Sequence, residues 1–103
     1  MAHRTDPTEL DEALARILAE PTWARQILTA TAAALQTADP FLTVTYWELN
    51  QALDTAHAAV TAGLPAYVAR EAKEQASMAL PMTHERETCD AYALRLLDVA
   101  KAL

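Results

Sequence analysis

This sequence has little cysteine and little glycine, with one residue of each among its 103 residues. A single cysteine cannot form a disulfide within the chain, which fits a reducing compartment without establishing it. A single glycine cannot build the glycine-rich loop that cradles phosphates in nucleotide-binding proteins. The composition therefore argues against a disulfide scaffold and against a phosphate-loop enzyme.

Long apolar runs and basic residues are also scarce. No apolar run approaches the roughly 18 residues of a membrane span, and the first residues, MAHRTDPTELDE, lack the apolar core of a signal peptide. Eight basic against fourteen acidic residues give a formal charge of −6, which repels phosphate polymers unless the cations gather on one face. We expect a cytoplasmic protein that contacts no membrane and has no preference for nucleic acid.

Helix-forming residues are abundant. The chain is 52% apolar and rich in alanine, while the residues that favour strands never cluster. This composition predicts an all-α fold, a compact bundle of four to five helices. No internal repeat, low-complexity tract or linker divides the chain, so residues 1–103 should form a single helical domain whose residues 1–5 are a loose tail.

The best-marked helix lies between Thr45 and Pro65. Thr45 and Glu48 have the spacing of a capping box, in which each residue's side chain satisfies the other's backbone N–H. At the other end Gly63 can adopt the left-handed conformation that closes a helix, and Pro65 prevents continuation. We predict a helix over residues 46–62.

This helix has two contrasting faces. Its apolar stripe recurs at three- and four-residue spacing and consists of Tyr46, Leu49, Leu53, Ala56 and Val60. The opposite face carries small or weakly polar, uncharged side chains. It consists of Gln51, Ala52, Thr55, Ala58, Ala59 and Ala62. No Lys or Arg occurs between Asp39 and Gly63, so both sides of the helix can be covered. We expect it at the centre of the bundle or on a dimer seam.

Prolines mark the remaining helix boundaries. Asp6 caps a first helix, which Pro21 either kinks or ends at Ala19. We expect the break, because Pro21 suits the first turn of a second helix that runs to about Ala38. A further helix covers about 65–79, and Pro81 ends it before Thr83 caps the last helix. The last helix carries an apolar stripe of Cys89, Tyr92, Leu96, Val99 and Leu103. In the connection after Ala38, we expect the apolar residues Phe41, Leu42 and Val44 to pack against the bundle.

Two patterns are compatible with metal binding, and neither is complete. Asp54 and His57 are three residues apart, as in the ligand pairs of carboxylate-bundle metal proteins, but the chain has no second pair. The alternative without a metal is a His57 that is solvated or hydrogen-bonded to Asp54. His84-Glu85-Arg86-Glu87-Thr88 begins like a zinc protease motif, but Thr88 stands where the second histidine is needed, so we interpret it as the first turn of a helix. We expect no metal, no cofactor and no catalytic residue, with Cys89 a buried small hydrophobe.

The turn at Gly63 leaves a nucleic-acid alternative open. The spacing of Ala59, Gly63 and the following helix is compatible with a helix-turn-helix motif. In such a motif Arg70 and Lys73 would face the DNA groove. Residues 39–80 nevertheless carry five acidic residues against these two cations, and tight phosphate contact needs several cations. A DNA-binding regulator is therefore the second hypothesis, and a carboxylate and histidine metal site is the third.

The aromatic residues indicate the first hypothesis. Tyr46 follows the apolar stripe and Trp47 lies one step off it, so the two cannot easily share a pocket. Trp47 either packs in the core against Trp23 or anchors a partner, because Trp and Tyr are enriched at interface hot spots. We predict a small acidic protein that binds a protein partner or itself as a homodimer, in a regulatory or adaptor role and without enzymatic activity. The predicted contact residues are Trp47, Gln51, Thr55, Ala59 and Trp23.

Overall fold

The computed structural model describes residues 22–103, and within this range the chain forms four α-helices. Helix α1 spans Thr22–Ala38, α2 spans Tyr46–Val60, α3 spans Ala66–Ala79 and α4 spans Cys89–Ala102. The only β-structure in the described range is an isolated bridge between Thr43 and Thr88. The predicted all-α fold is confirmed, with four helices there. The predicted tail and the first helix from Asp6 lie outside the described residues.

Helix α1 is the element around which the other three described helices pack, since it contacts each of them. Its buried residues follow a wide helical face and are Ala24, Ile27, Leu28, Thr31, Ala32 and Leu35. The expectation that residues 46–62 form the centre of the bundle is wrong for the described part of the chain. Helix α2 buries only one stripe and leaves most of its opposite face exposed, whereas α1 is wide enough in its apolar face to meet three neighbours.

The tightest packing joins α1 to α4. The largest fully buried side chains all lie on these two helices and are Tyr92, Ile27, Leu28, Leu96 and Thr31. The two helices are antiparallel, because Arg25 near the start of α1 donates to the Ala100 carbonyl at 3.2 Å and also to the carbonyl of Leu103. The Arg25 guanidinium thus binds two carbonyls at the end of α4, where backbone acceptors exceed the backbone donors that can reach them.

Helix α2 begins and ends at the predicted signals. Thr45 and Glu48 form the capping box, with the Thr45 backbone N–H donating to Glu48 Oε2 at 3.1 Å. Gly63 has φ +84°, the left-handed conformation expected of it. The last helical residue is Val60, two positions before the predicted end. The Thr61 N–H makes the final helical hydrogen bond, to the His57 carbonyl at 2.9 Å, and the chain then turns through residues 61–63.

The connection from α1 to α2 is held by its backbone. The Val44 N–H donates to the Glu87 carbonyl and the Cys89 N–H donates to the Leu42 carbonyl, both at 2.8 Å. Val44 is buried as expected, but Phe41 and Leu42 are exposed, so the prediction that all three residues pack is wrong for two of them. The backbone hydrogen bonds fix this segment without burying the Phe41 side chain.

Helix α4 starts later than the sequence predicted. Its N-cap is Thr88, whose hydroxyl accepts from the Ala91 N–H at 3.1 Å. The prediction that Thr83 caps this helix is wrong, and so is the assignment of residues 84–88 to its first turn. Arg86 has φ 62°, which a continuous α-helix does not allow. None of the described helices is both long enough and apolar enough to cross a bilayer.

Candidate interaction groove

Three of the predicted contact residues lie together in the structure. Trp47, Gln51 and Thr55 line one wall of a groove of about 230 Å³. Ala34 and Ala38 line the facing wall on α1. The groove lies between α1 and α2 where several facing residues are alanines, Ala34, Ala38 and Ala52, whose side chains leave space unfilled.

The floor of the groove is apolar. Leu35 and Ala52 lie there and are buried, and Cys89 from the start of α4 closes it. The predicted burial of Cys89 is thus confirmed. Burial raises the pKa of the Cys89 thiol, and the negative charges of Glu48 and Asp39 raise it further. A thiol that resists ionisation is a poor nucleophile, so Cys89 contributes apolar surface to the floor.

Trp47 stands at the rim of this groove, and 69% of its surface is exposed. The alternative that Trp47 packs in the core against Trp23 is therefore wrong. Trp23 lies near the start of α1 and packs at the edge of the core, whereas the groove lies at the end of the same helix. Trp23 does not line the groove, while Ala59 continues the exposed side of α2 two turns beyond Gln51.

A second groove, of about 380 Å³, lies on the other side of α2, and the sequence analysis missed it. Tyr46 lines it together with Leu49, Leu53 and residues of the segment after α3, among them Leu80 and Met82. The prediction that Tyr46 belongs to the buried stripe is wrong, since 78% of its surface is exposed. Tyr46 is the first residue of α2, and none of the described helices covers its side chain. The signal available in the sequence was that Tyr46 and Trp47 cannot share a pocket.

Two carboxylates give the first groove its charge. Asp39 at the end of α1 and Glu48 in the first turn of α2 both line it. Among residues 22–103 no Lys or Arg lines it, and residues 26–69 contain neither. The groove therefore combines an apolar floor, one exposed indole and a negative rim.

Asp54 and His57 do not act as a pair. Asp54 lies 3.0 Å from the Lys73 ammonium on α3, and His57 Nε2 lies 2.8 Å from the Ala69 carbonyl, to which it can donate. The hydrogen bond considered between His57 and Asp54 is replaced by these two contacts, which tie α3 to α2. Residues 22–103 contain no cluster of three or more His, Cys, Asp or Glu side chains placed to hold a metal.

The residues of the DNA-binding alternative lie on α3. Arg70 is exposed, and Lys73 is engaged by Asp54. The segment considered as a helix-turn-helix motif corresponds to α2, the turn at Gly63 and α3, and Pro65 is the N-cap of α3. This hypothesis stays a prediction.

Sequence reasoning also missed the ion pair between Glu87 and Arg95. Arg95 Nε donates to Glu87 Oε2 at 2.8 Å, and a second guanidinium nitrogen donates to Oε1 at 2.9 Å. The same guanidinium bonds to the Met82 carbonyl and lies 5.5 Å from the centre of the Tyr92 ring. The two residues are eight apart, which matches no helical pairing rule, so spacing could not reveal the contact. The pair holds residues 82–87 against α4.

Comparisons with known proteins found no matching family model, no matching curated protein and no matching solved structure.

Proposed function

We propose that this protein acts by binding another protein chain, in a regulatory or adaptor role and without chemistry of its own. The observation that carries the proposal is the exposed indole of Trp47 at the rim of an apolar groove. Exposed apolar surface beside a groove is typical of interaction sites, and Trp is among the residues that contribute most to binding. A partner that covered Trp47 would remove its large apolar surface from water.

The proposed contact surface, which we call the α2 face, consists of Trp47, Gln51, Thr55 and Ala59. All four residues are exposed, and beyond Trp47 their side chains are short. A partner helix can therefore approach closely without desolvating a charge.

A homodimer is one way of covering the α2 face. A two-fold axis would place the faces of two copies against each other. The cytoplasm is the proposed compartment, because the one cysteine of the chain is a free thiol and fits a reducing environment.

Substitution of Ala59 by Glu tests the proposal, because it places a charge on the α2 face. Ala59 is exposed, so the unfolding free energy of the isolated chain should stay within about 0.5 kcal/mol of wild type. We expect the variant to lose the protein partners that wild type captures from cell extract, and to become monomeric if wild type is a dimer by light scattering.

Ala102→Glu is the matched control, since it makes the same change at an exposed position on α4. It should keep both the mass and the captured partners of wild type. A folded Ala59→Glu variant with unchanged mass and unchanged partners would overturn the proposal.

A further inference from the structure

From residue 26 onward, the hairpin that builds the groove contains no Lys or Arg. Residues 26–69 include most of α1 and all of α2, and their charged residues at neutral pH are Asp39, Glu48 and Asp54. Asp54 pairs with Lys73. The other two carboxylates both line the groove.

Three cations outside residues 26–69 bind groups that do not line the groove. Arg25 bonds to the last carbonyls of α4, Lys73 lies 3.0 Å from Asp54, and Arg95 binds Glu87. The charges of Glu48 and Asp39 also reach the floor, where they add to the burial that raises the pKa of Cys89. The groove is thus a place where a negative charge is disfavoured and a positive charge is favoured.

The length and relief of the α2 face suit a helix. From Trp47 to Val60, the last residue of α2, the helix axis rises about 20 Å, the length of a helix of about 13 residues. Along this line the exposed side chains are short after Trp47, so a second helix can lie in contact with α2 for about four turns.

We propose that the groove and the α2 face bind an amphipathic helix of another protein that carries Lys or Arg beside its apolar row. The apolar row packs against Trp47 and the groove floor, and the basic side chains reach Asp39 and Glu48. This inference rests on the proposed function and names the partner's chemistry. A second copy is the poorer occupant, because the chain carries a net charge of −6 and a symmetric pairing would bring like carboxylates to one seam.

A synthetic amphipathic peptide of about 15 residues, with leucines on one face and lysines on the other, tests the inference. In a Trp23→Phe background the remaining tryptophan, Trp47, reports binding through its fluorescence. We expect the lysine peptide to shift the Trp47 emission to shorter wavelength, with an affinity that falls as salt is added. A peptide with glutamates in place of the lysines should not bind.

Charge variants locate the contact. Asp39→Asn combined with Glu48→Gln should weaken binding about tenfold, as expected when two rim charges are lost. Gln is accepted at this position of a capping box, so α2 keeps its start. Glu74→Gln combined with Asp98→Asn has the same net charge at exposed sites on α3 and α4 and should bind like wild type.

Four results would overturn the inference. Equal binding of the lysine and glutamate peptides would mean that the groove recognises apolar surface alone, and it would leave the proposed function standing. Equal weakening by the two double variants would mean that only net charge matters. A dimer that excludes the lysine peptide would make a second copy the occupant. If neither peptide bound at micromolar concentration, the inference of a cationic helical partner would be wrong. The proposed function is tested separately by the Ala59→Glu variant.

Discussion

Gly63 occupies a position that only its backbone explains. Its φ is +84°, and apart from Gly63 and its two chain neighbours no heavy atom of residues 22–103 lies within 4 Å of the place where a Cβ would stand. A larger side chain would therefore meet open space, and the cost of a substitution comes from the left-handed conformation alone. Glycine adopts that conformation freely, Asn tolerates it, and other residues are strained in it.

Substitution of Gly63 should follow this conformational preference and not side-chain size. We expect Gly63→Ala to lower the unfolding free energy by about 1 kcal/mol. Gly63→Asn, which adds a larger side chain, should cost less. Denaturant midpoints of the three proteins provide the measurement, and an Asn variant less stable than the Ala variant would contradict the account.

The neighbours Tyr46 and Trp47 show how one residue step changes a side chain's surroundings. Successive residues of an α-helix are rotated by about 100°, so the two aromatics at the start of α2 project in different directions. Tyr46 lines the second groove and Trp47 lines the first. Both remain mostly exposed, since the buried residues of α2 begin only at Leu49.

At the scale of elements, the segment between α3 and α4 depends on one ion pair. Only 6% of the Glu87 side chain is exposed, while Arg95 keeps 33%. Burial alone would raise the pKa of the Glu87 carboxyl, but hydrogen bonds from Arg95 and from the His84 backbone N–H, together with the nearby positive charges, bring that pKa below its ordinary 4.5. The carboxylate is thus more favoured in the folded protein than in the unfolded chain.

This lowered pKa makes a prediction for acid stability. The Glu87 contribution is complete above pH 4.5 and is lost as pH falls below that value through the lower folded pKa. At neutral pH Glu87→Gln should cost about 2–3 kcal/mol, less than for a fully buried pair because Arg95 is partly solvated. Stability measured from pH 7 down to pH 3 should show a shallower acid decline in this variant.

Glu85 provides the control for the acid prediction, since it lies in the same segment and is exposed. Glu85→Gln should change stability little and should leave the acid decline as in wild type. If Glu87→Gln behaved in the same way, the ion pair would not hold the segment.

At the scale of the whole molecule, charge argues against nucleic acid. The chain carries −6 overall, and on α3 Lys73 is engaged by Asp54. We expect no shift of mixed-sequence duplex DNA in an electrophoretic titration at moderate salt. Salt-sensitive and sequence-selective binding that Arg70→Ala abolishes, and that the control Arg86→Ala preserves, would instead support the DNA-binding regulator.

The parts of the fold that could be predicted are those marked by local chemistry. The capping box at Thr45 and Glu48, the left-handed Gly63 and the stop at Ala38 each depend on residues close in sequence. The cap of α4 was misassigned because Thr83 and Thr88 are equally able to cap, and the choice depends on contacts to Arg95 and to the connection after α1. Those contacts are invisible to local patterns.

The identity of the central helix and the depth of the grooves could not be predicted for a related reason. Periodicity shows which face of a helix is apolar, but it does not show how many neighbours that face meets. The candidate site was partly predicted, because short uncharged residues at Gln51 and Thr55 leave a recognisable pattern. Its acidic rim joins Asp39 and Glu48 across a turn that only the folded hairpin brings together.

The absence of Lys and Arg from residues 26–69 also has a biochemical consequence. Trypsin cleaves after a basic residue held in its acidic specificity pocket, so it cannot cut within residues 26–69 even when the chain is unfolded. Acetylation, which cancels a lysine charge, has no substrate there either. Enzymes that recognise a basic side chain act only outside this stretch, at Arg25, Arg70 and beyond, and leave the α1 and α2 residues that line the groove covalently unchanged.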